Sequence, residues 1–261
     1  MWHGAWVSTS AIAVTTTGGP TVLLELGGTR LLVDPTFDPP GSYPLGGGRE
    51  LTKTAPAALT AAEIGPVDAV LLSHDQHPDN LDTAGRAVLA GAPLVLTTEL
   101  AAQRLGGTAR ALPVGATVTV GAVQVTGAPA LHGPEGAEEL TGPVTGFVLH
   151  GAGLPTVYVS GDNVSLDCVD AVAAAFGRVD VAVLFAGAAR TALFDGAPLT
   201  LTGEGVAAAV GRLAVPRVVV VHADSWAHFS EDRDDVRAAL EAAGLADRLV
   251  DTPAGVRTEL G

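Results

Sequence analysis

The sequence predicts an α/β chain of the α+β kind: two mixed, largely antiparallel sheets packed face to face with helices outside, a four-layer αββα sandwich. Three observations carry that expectation. Short β-branched runs punctuated by glycine fill both halves of the chain. Helical stretches fall between the later strands, where they can cover the outer face of a sheet. No linker of useful length interrupts the 261 residues, so one domain over 1–261 is expected.

The elements follow in order. Residues 12–16, 21–25 and 30–33 are rich in Val, Ile, Leu and Thr, and Gly18-Gly19-Pro20 and Gly27-Gly28 separate them. They read as an antiparallel meander with tight turns. Asp34-Pro35 ends the third strand, because proline has no N–H to donate to a ladder. At that strand end Asp34 can support a metal ligand from behind or cap a turn, and the residues alone leave both readings open. Residues 37–54 are dominated by glycine and proline and read as a long loop. Loops of that length often wall a pocket, which makes Phe37 a candidate substrate contact. Thr60 and Glu63 have capping-box spacing for one short helical turn. Residues 70–72 then read as the end of a buried strand. Residues 83–90 and 98–105 look helical, the second closed by Gly106-Gly107, with a strand over 93–97 between them. Strands are expected at 117–120, 123–126, 147–150, 156–159, 179–185 and 216–221. Helices are expected at 168–176, 202–213 and 234–243, the last closed by Gly244. The tail from 248 has weak strand character.

Composition narrows the function classes. Hydrophobic residues at 48% against 16% charged ones imply a packed core, not a disordered chain. A formal charge of −14, with Lys53 the only lysine, disfavours a nucleic-acid partner. Cys168 is the single cysteine, so no intrachain disulfide can form and a reducing compartment suits the chain. It reads as a buried structural thiol. No leader-like segment and no apolar run of ~18 residues is present, so neither export nor a membrane partner is expected. The expectation is a cytoplasmic protein acting on a small molecule.

The candidate chemistry gathers at strand ends. Directly after Leu72 come His74, Asp75, His77, Asp79 and Asp82. Imidazole and carboxylate are what a borderline cation such as zinc binds, and a loop leaving a strand holds them on a rigid base. A polar surface loop would look the same taken alone. Three more ligand-type residues follow other strands: His132, Asp162 and His222. A catalytic zinc needs about three protein ligands and an open position for water. Just past His222 lie Trp226 and His228, readable as a substrate contact and a proton donor, or as packing beside a helix start capped by Ser230. His3 and His150 read as surface and strand positions. Ser73 and Ser160 have no base of their own, so a serine nucleophile is not expected.

The loop resembles the His-x-His-x-Asp-His signature of the metallo-β-lactamase-fold hydrolases, in the same strand-then-loop setting. One extra residue at Gln76 places His74 and His77 on the two histidine positions and Asp79 on the aspartate. Leu81-Asp82 then follow as the family's Leu-Asp does, and Asn80 stands where the last histidine would be. The similarity spans nearly the whole chain. It points to the ascorbate-6-phosphate lactonase-like branch, where an Asp-Pro like 34–35 and a Trp-x-His-Phe like 226–229 also occur. The resemblance implies the αββα fold. It implies a first metal site of His74, His77 and His132, with Asp162 bridging to a second that takes Asp79 and His222. It makes Asp34 and Asn80 supporting residues behind the ligands. A neutral amide at Asn80 implies a weaker second site or a harder ion, so one or two divalent metals are expected, zinc first and manganese or iron as alternatives. The implied reaction is attack by a metal-activated water on a lactone, another ester, an amide or a phosphodiester. Asp79 would orient or deprotonate that water, with His228 as the proton donor and Trp226 and Phe37 as substrate contacts. The competing expectation is a metal-poor, non-catalytic relative acting as a binding protein. Gln76 and Asn80 favour it, and the retention of His132, Asp162 and His222 opposes it. An iron oxidoreductase of this fold would need a flavin module that the sequence lacks.

Overall fold

In the computed structural model, which describes residues 12–260, the expected meander is formed by Ile12–Gly18, Thr21–Leu26 and Thr29–Val33, with Val14 opposite Leu24 and Leu24 opposite Leu31. His3 lies outside the described residues. The meander belongs to a seven-stranded sheet ordered Thr258–Leu260, Ile12–Gly18, Thr21–Leu26, Thr29–Val33, Ala69–Leu71, Val95–Thr97 and Ala109–Ala111. The weak strand signal of the tail is therefore an edge strand, paired antiparallel to Ile12–Gly18. The second sheet has six strands, ordered Arg217–Val221, Val181–Phe185, Val157–Val159, Gly146–His150, Val123–Ala128 and Thr117–Val120. Each sheet is antiparallel over one half and parallel over the other. Parallel neighbours need a crossover, and helices supply it: Thr83–Gly91 in the first sheet, Leu166–Phe176 and Gly203–Leu213 in the second.

Three apolar layers separate the four layers of backbone. Between the sheets, Leu24, Leu31, Leu71 and Leu96 meet Phe147, Leu149, Val183 and Phe185. Outside the second sheet, Val169, Val206, Val210, Val236 and Leu240 of three helices cover Val148, Leu184, Val218 and Val220. Outside the first, Ile64, Leu81 and Leu89 cover Leu23, Leu32, Val70 and Leu72. Arg217–Val221 shows why such strands read as unbroken apolar runs: Val218 and Val220 point to the helices while Val219 and Val221 point to the other sheet. The helices begin where side-chain oxygens cap them: Thr60 with Glu63 as a reciprocal box, then Asp82, Thr98, Ser165 and Thr202. No helix among the described residues is long and apolar enough to cross a membrane.

One stretch differs from the sequence reading. Residues 37–54 hold a two-stranded hairpin, Gly41–Gly46 paired with Arg49–Lys53, instead of an unbroken loop. Pro44 and the run Gly46-Gly47-Gly48, all three with positive φ at the turn, mask the strand composition. The alternation survives only in burial, with Leu51 and Lys53 buried and Glu50 and Thr52 exposed. Strand Ala109–Ala111 and helix Glu138–Thr141 also escape the sequence reading, because each is too short to show a period. The candidate ligands all lie just past strands, His74 after Ala69–Leu71, His132 after Val123–Ala128, Asp162 after Val157–Val159 and His222 after Arg217–Val221.

Candidate metal centre

The His74 loop is held from behind. Leu72 N–H donates to the Leu96 carbonyl at 2.9 Å and Asp34 N–H to the Leu71 carbonyl at 3.1 Å, so the sheet continues to the start of the loop. Ser73 then donates twice to the fully buried Asp34, from its N–H to Oδ1 at 2.7 Å and from its hydroxyl to Oδ2 at 2.6 Å. His74 Nδ1 lies 2.9 Å from the same hydroxyl oxygen. With that nitrogen donating, the imidazole keeps the lone pair of Nε2 for the site. Asn80 Nδ2 donates to Asp34 Oδ2 at 3.1 Å and to Asp162 Oδ1 at 3.0 Å, tying two strand ends together. His132 is set the same way, with Nδ1 donating to the Leu199 carbonyl at 2.9 Å. Asp34 and His222 carry left-handed backbone, φ 37° and 59°, unusual for residues with a Cβ. Strain of this kind collects at functional sites.

Two triads result. One nitrogen each of His74, His77 and His132 lie within 4.8 Å of one another, and so do one ligand atom each of Asp79, Asp162 and His222. His74 Nε2 is 2.9 Å from His77 Nδ1. Asp162 stands between the triads, its Oδ2 3.6 Å from His132 Nε2 and its Oδ1 3.6 Å from His222 Nε2. Asp79 Oδ2 is 3.3 Å from His222 Nε2 and 3.1 Å from His228 Nε2. The extra residue Gln76 turns away: its Oε1 accepts from Asp75 N–H at 3.1 Å and its amide packs against Gly142, which leaves His77 beside His74.

Charge follows from this packing. Burial, and then the neighbouring imidazoles, hold His74 well below the ordinary histidine range and push His77 down to about 4, so both rings are neutral ligands at pH 7. Burial raises Asp79 and Asp162, but the surrounding histidines outweigh it and keep both carboxylates below their usual range. Burial lowers His222, yet Asp162 and Asp79 more than reverse it and lift the ring to about 9. Burial raises Asp34 to about 7 against its hydrogen bonds from Ser73 and Asn80.

The donor set fits a divalent cation. Asp79 Oδ1, Asp162 Oδ2, Asn80 Oδ1 and His222 Nε2 are all buried without a hydrogen-bond partner. Each such atom costs about 1–3 kcal/mol when nothing satisfies it, and Asp79, Asp162 and His222 each bring a ligand atom within 4.8 Å of the others. The neutral rings of His74 and His77 beside the ionised carboxylates of Asp79 and Asp162 suit a metal ion, and a cation bound there would take the place of the proton those carboxylates hold on His222.

A narrow cavity opens onto the triads, with about 50 Å³ open to the centres of water molecules. His77, Asp79, His132 and His228 line it. Two residues read as substrate contacts do not. Phe37 packs beneath the first sheet against the cluster of Leu23, Leu32 and Val70. Trp226 is 4% exposed and lies under the hairpin, edge-on to Tyr43 at 5.8 Å and 5.6 Å from Lys53 Nζ. The sequence reading puts Phe37 and Trp226 against the substrate, whereas Leu45, Leu51, Leu140, Leu193, Phe194 and Leu199 form the apolar wall. It also missed Ser73 as the link between His74 and Asp34. The adjacency of Ser73 to a ligand was the only available signal.

Residues 29–223 match the family model described as the Beta-lactamase superfamily domain. A UPF0173 metal-dependent hydrolase of Pyrobaculum neutrophilum is 28% identical over 245 residues, covering 92% of this chain and 96% of that one. Solved structures similar in fold include two with the same TM-score. One is described as a "possible metal-dependent hydrolase" from Veillonella parvula DSM 2008, with a TM-score of 0.82, 19% identity and coverage of 95% of this chain and 99% of that one. The other is an isothiocyanate hydrolase from Delia radicum gut bacteria, with a TM-score of 0.82, 21% identity and coverage of 95% and 98%.

Proposed function

Because the chain belongs to the beta-lactamase superfamily, we propose that it is a metal-dependent hydrolase whose two triads hold one or two divalent cations. The observation that carries this reading is the convergence of buried, unpartnered carboxylate and imidazole atoms of Asp79, Asp162 and His222 beside the His74/His77/His132 triad. Zinc suits the three imidazoles of the first triad. The carboxylate-rich second triad suits zinc, or a harder ion such as manganese or iron. A bound cation of this kind supplies an acidified water and polarises the oxygen of a scissile carbonyl or phosphoryl group.

The chain's own residues do the rest. Asp79, kept ionised by its histidine neighbours, orients the attacking water or accepts its proton at a carboxylate oxygen. His228, with Nε2 3.1 Å from Asp79 Oδ2 and a place in the cavity wall, delivers a proton to the leaving group. Asn80 holds Asp162 in position, the Asp34–Ser73 pair fixes the ring of His74, and the Leu199 carbonyl fixes that of His132. The favoured substrate is a small lactone or other ester, then an amide or phosphodiester, on the resemblance of the His74 loop to the lactonase-like branch. A chain of net charge −14 is ill suited to a nucleic-acid substrate. The single cysteine supports a place in the cytoplasm.

Elemental analysis of protein purified without chelator, beside a His132→Ala/His222→Ala double variant, tests the reading. The expected result is about one to two equivalents of metal in the parent and none in the variant, since each triad loses a ligand. A parent that takes up no metal on reconstitution would refute it.

A further inference from the structure

The cavity wall facing the triads is apolar: Leu45, Leu51, Leu140, Leu193, Phe194 and Leu199 line it. They come from the hairpin, from helix Glu138–Thr141 and from the turn Ala192–Phe194 and the residues after it. Leu140 is 63% exposed and Leu193 46%, so two of the large hydrophobics left in water flank this one mouth. Burying such carbon against an apolar ligand is favourable. The inner space is small, so an apolar chain would run outward along the mouth while only a compact group reaches the triads.

One cationic side chain lines the same wall, Arg49. It starts the strand Arg49–Lys53, on the side of Leu51 and Lys53 by the two-residue period, and stands exposed at the hairpin tip while those two are buried. Among the described residues Arg49 has no hydrogen-bonded or ion-paired side-chain partner, whereas Arg104, Arg212 and Arg257 are paired with Asp75, Asp170 and Glu25. The arm that carries it is anchored at its base. Lys53 Nζ donates to the Thr36 carbonyl at 3.3 Å and to Asp82 Oδ2 at 3.4 Å. Thr54 N–H donates to the Ser225 carbonyl at 2.7 Å, and Ala227 N–H to the Thr52 carbonyl at 2.9 Å.

We propose that the substrate is amphiphilic: a hydrolysable group at the triads, a short apolar chain along the leucine-lined mouth, and a singly charged anionic group, such as a carboxylate, met by Arg49. This rests on the triads being the reacting centre and makes Arg49 a specificity-determining residue. In a chain this acidic, an anionic substrate is otherwise repelled, and a guanidinium beside the cavity reverses that locally.

Titration calorimetry with two probes tests it. 1-Hexanesulfonate carries the chain and the charge, and hexan-1-ol carries the chain alone. The parent is expected to bind the sulfonate about tenfold more tightly, as a charge-assisted contact allows. Arg49→Ala is expected to abolish that preference while leaving the alcohol within about twofold, which also reports an intact pocket, and Arg49→Lys to restore most of it. Equal affinity of the parent for both probes would overturn the proposal. So would an Arg49→Ala variant that binds the sulfonate as the parent does, which would put the anion at the metal instead. The contrast is read on metal-loaded and on chelator-stripped protein. Failure of the hydrolase reading then appears as absent metal, and failure of this one as an absent Arg49 effect.

Discussion

Replacing Gly161 by alanine is expected to cost about 2–4 kcal/mol of stability, in two separable parts. Gly161 has φ 58°, and an L-residue there costs about 1 kcal/mol. An added Cβ would also lie 2.6 Å from the Thr145 carbonyl oxygen and 3.1 Å from Ser73 Cβ. That oxygen is backbone and cannot rotate away. Its residue is pinned by Thr145 N–H donating to the Ser73 carbonyl at 3.1 Å and by its hydroxyl donating to the Ala128 carbonyl at 3.3 Å. Relief requires the Ser73 loop and the Thr145 segment to part, an overpacking cost of about 1–3 kcal/mol. Gly153 supplies the control, because its φ is 71° and nothing lies within 4 Å of an added Cβ. Gly153→Ala should show the backbone part alone. Urea unfolding of both variants in the presence of chelator measures the difference without any metal contribution. Because Gly161 sits between Ser160 and Asp162, its variant should also lose metal while Gly153→Ala keeps it. Unfolding free energies of the two variants within about 0.5 kcal/mol of each other would refute the reasoning, since the close approach would then carry no cost.

Other outcomes follow from the same structure. Lys53 is 3% exposed, so an amine-acylating reagent at mildly alkaline pH should leave it unmodified in the folded protein and label it in urea, as read by peptide mass spectrometry. Asp82→Ala should destabilise by about 3–5 kcal/mol, because it leaves the Lys53 ammonium buried without its carboxylate and also removes the cap on Gly85 N–H. Asp232→Ala, which removes an exposed cap, should cost only about 1 kcal/mol in the same denaturation assay. A cation present at a thousand times its dissociation constant adds about 4 kcal/mol, so chelator should lower the melting temperature of the parent and leave that of His132→Ala/His222→Ala unchanged.

How much of this was legible in the chain depended on range. The strand Arg217–Val221 and the helix capped by Thr202 announce themselves through a few consecutive residues, and the structure has them there. The ligand-type residues were legible for the same reason: His74, His132, Asp162 and His222 each follow a recognisable strand. The hairpin was not, because Pro44 and three glycines hide its alternation. Phe37 was read as a substrate contact from the long loop it opens and Trp226 from its nearness to His222, yet one faces the layer beneath the first sheet and the other lies under the hairpin. Asn80 was recognisable as a departure from the histidine expected there. That its amide bridges Asp34 and Asp162 was not.

The sequence by itself determined the fold class, most of the strands and helices and the set of groups able to hold a metal. Periodicity, caps and turn residues act over a few positions, and side-chain chemistry is intrinsic to each residue. Only the tertiary structure decided which faces meet. Sheet order brings Asp162 between His132 and His222, a hydrogen bond from His222 N–H to the Gly19 carbonyl at 2.7 Å closes the chain across the site, and Lys53 reaches Asp82 to set the arm that carries Arg49. Those contacts join residues far apart in the chain, so their geometry is fixed by strand register and layer packing, which no short stretch encodes.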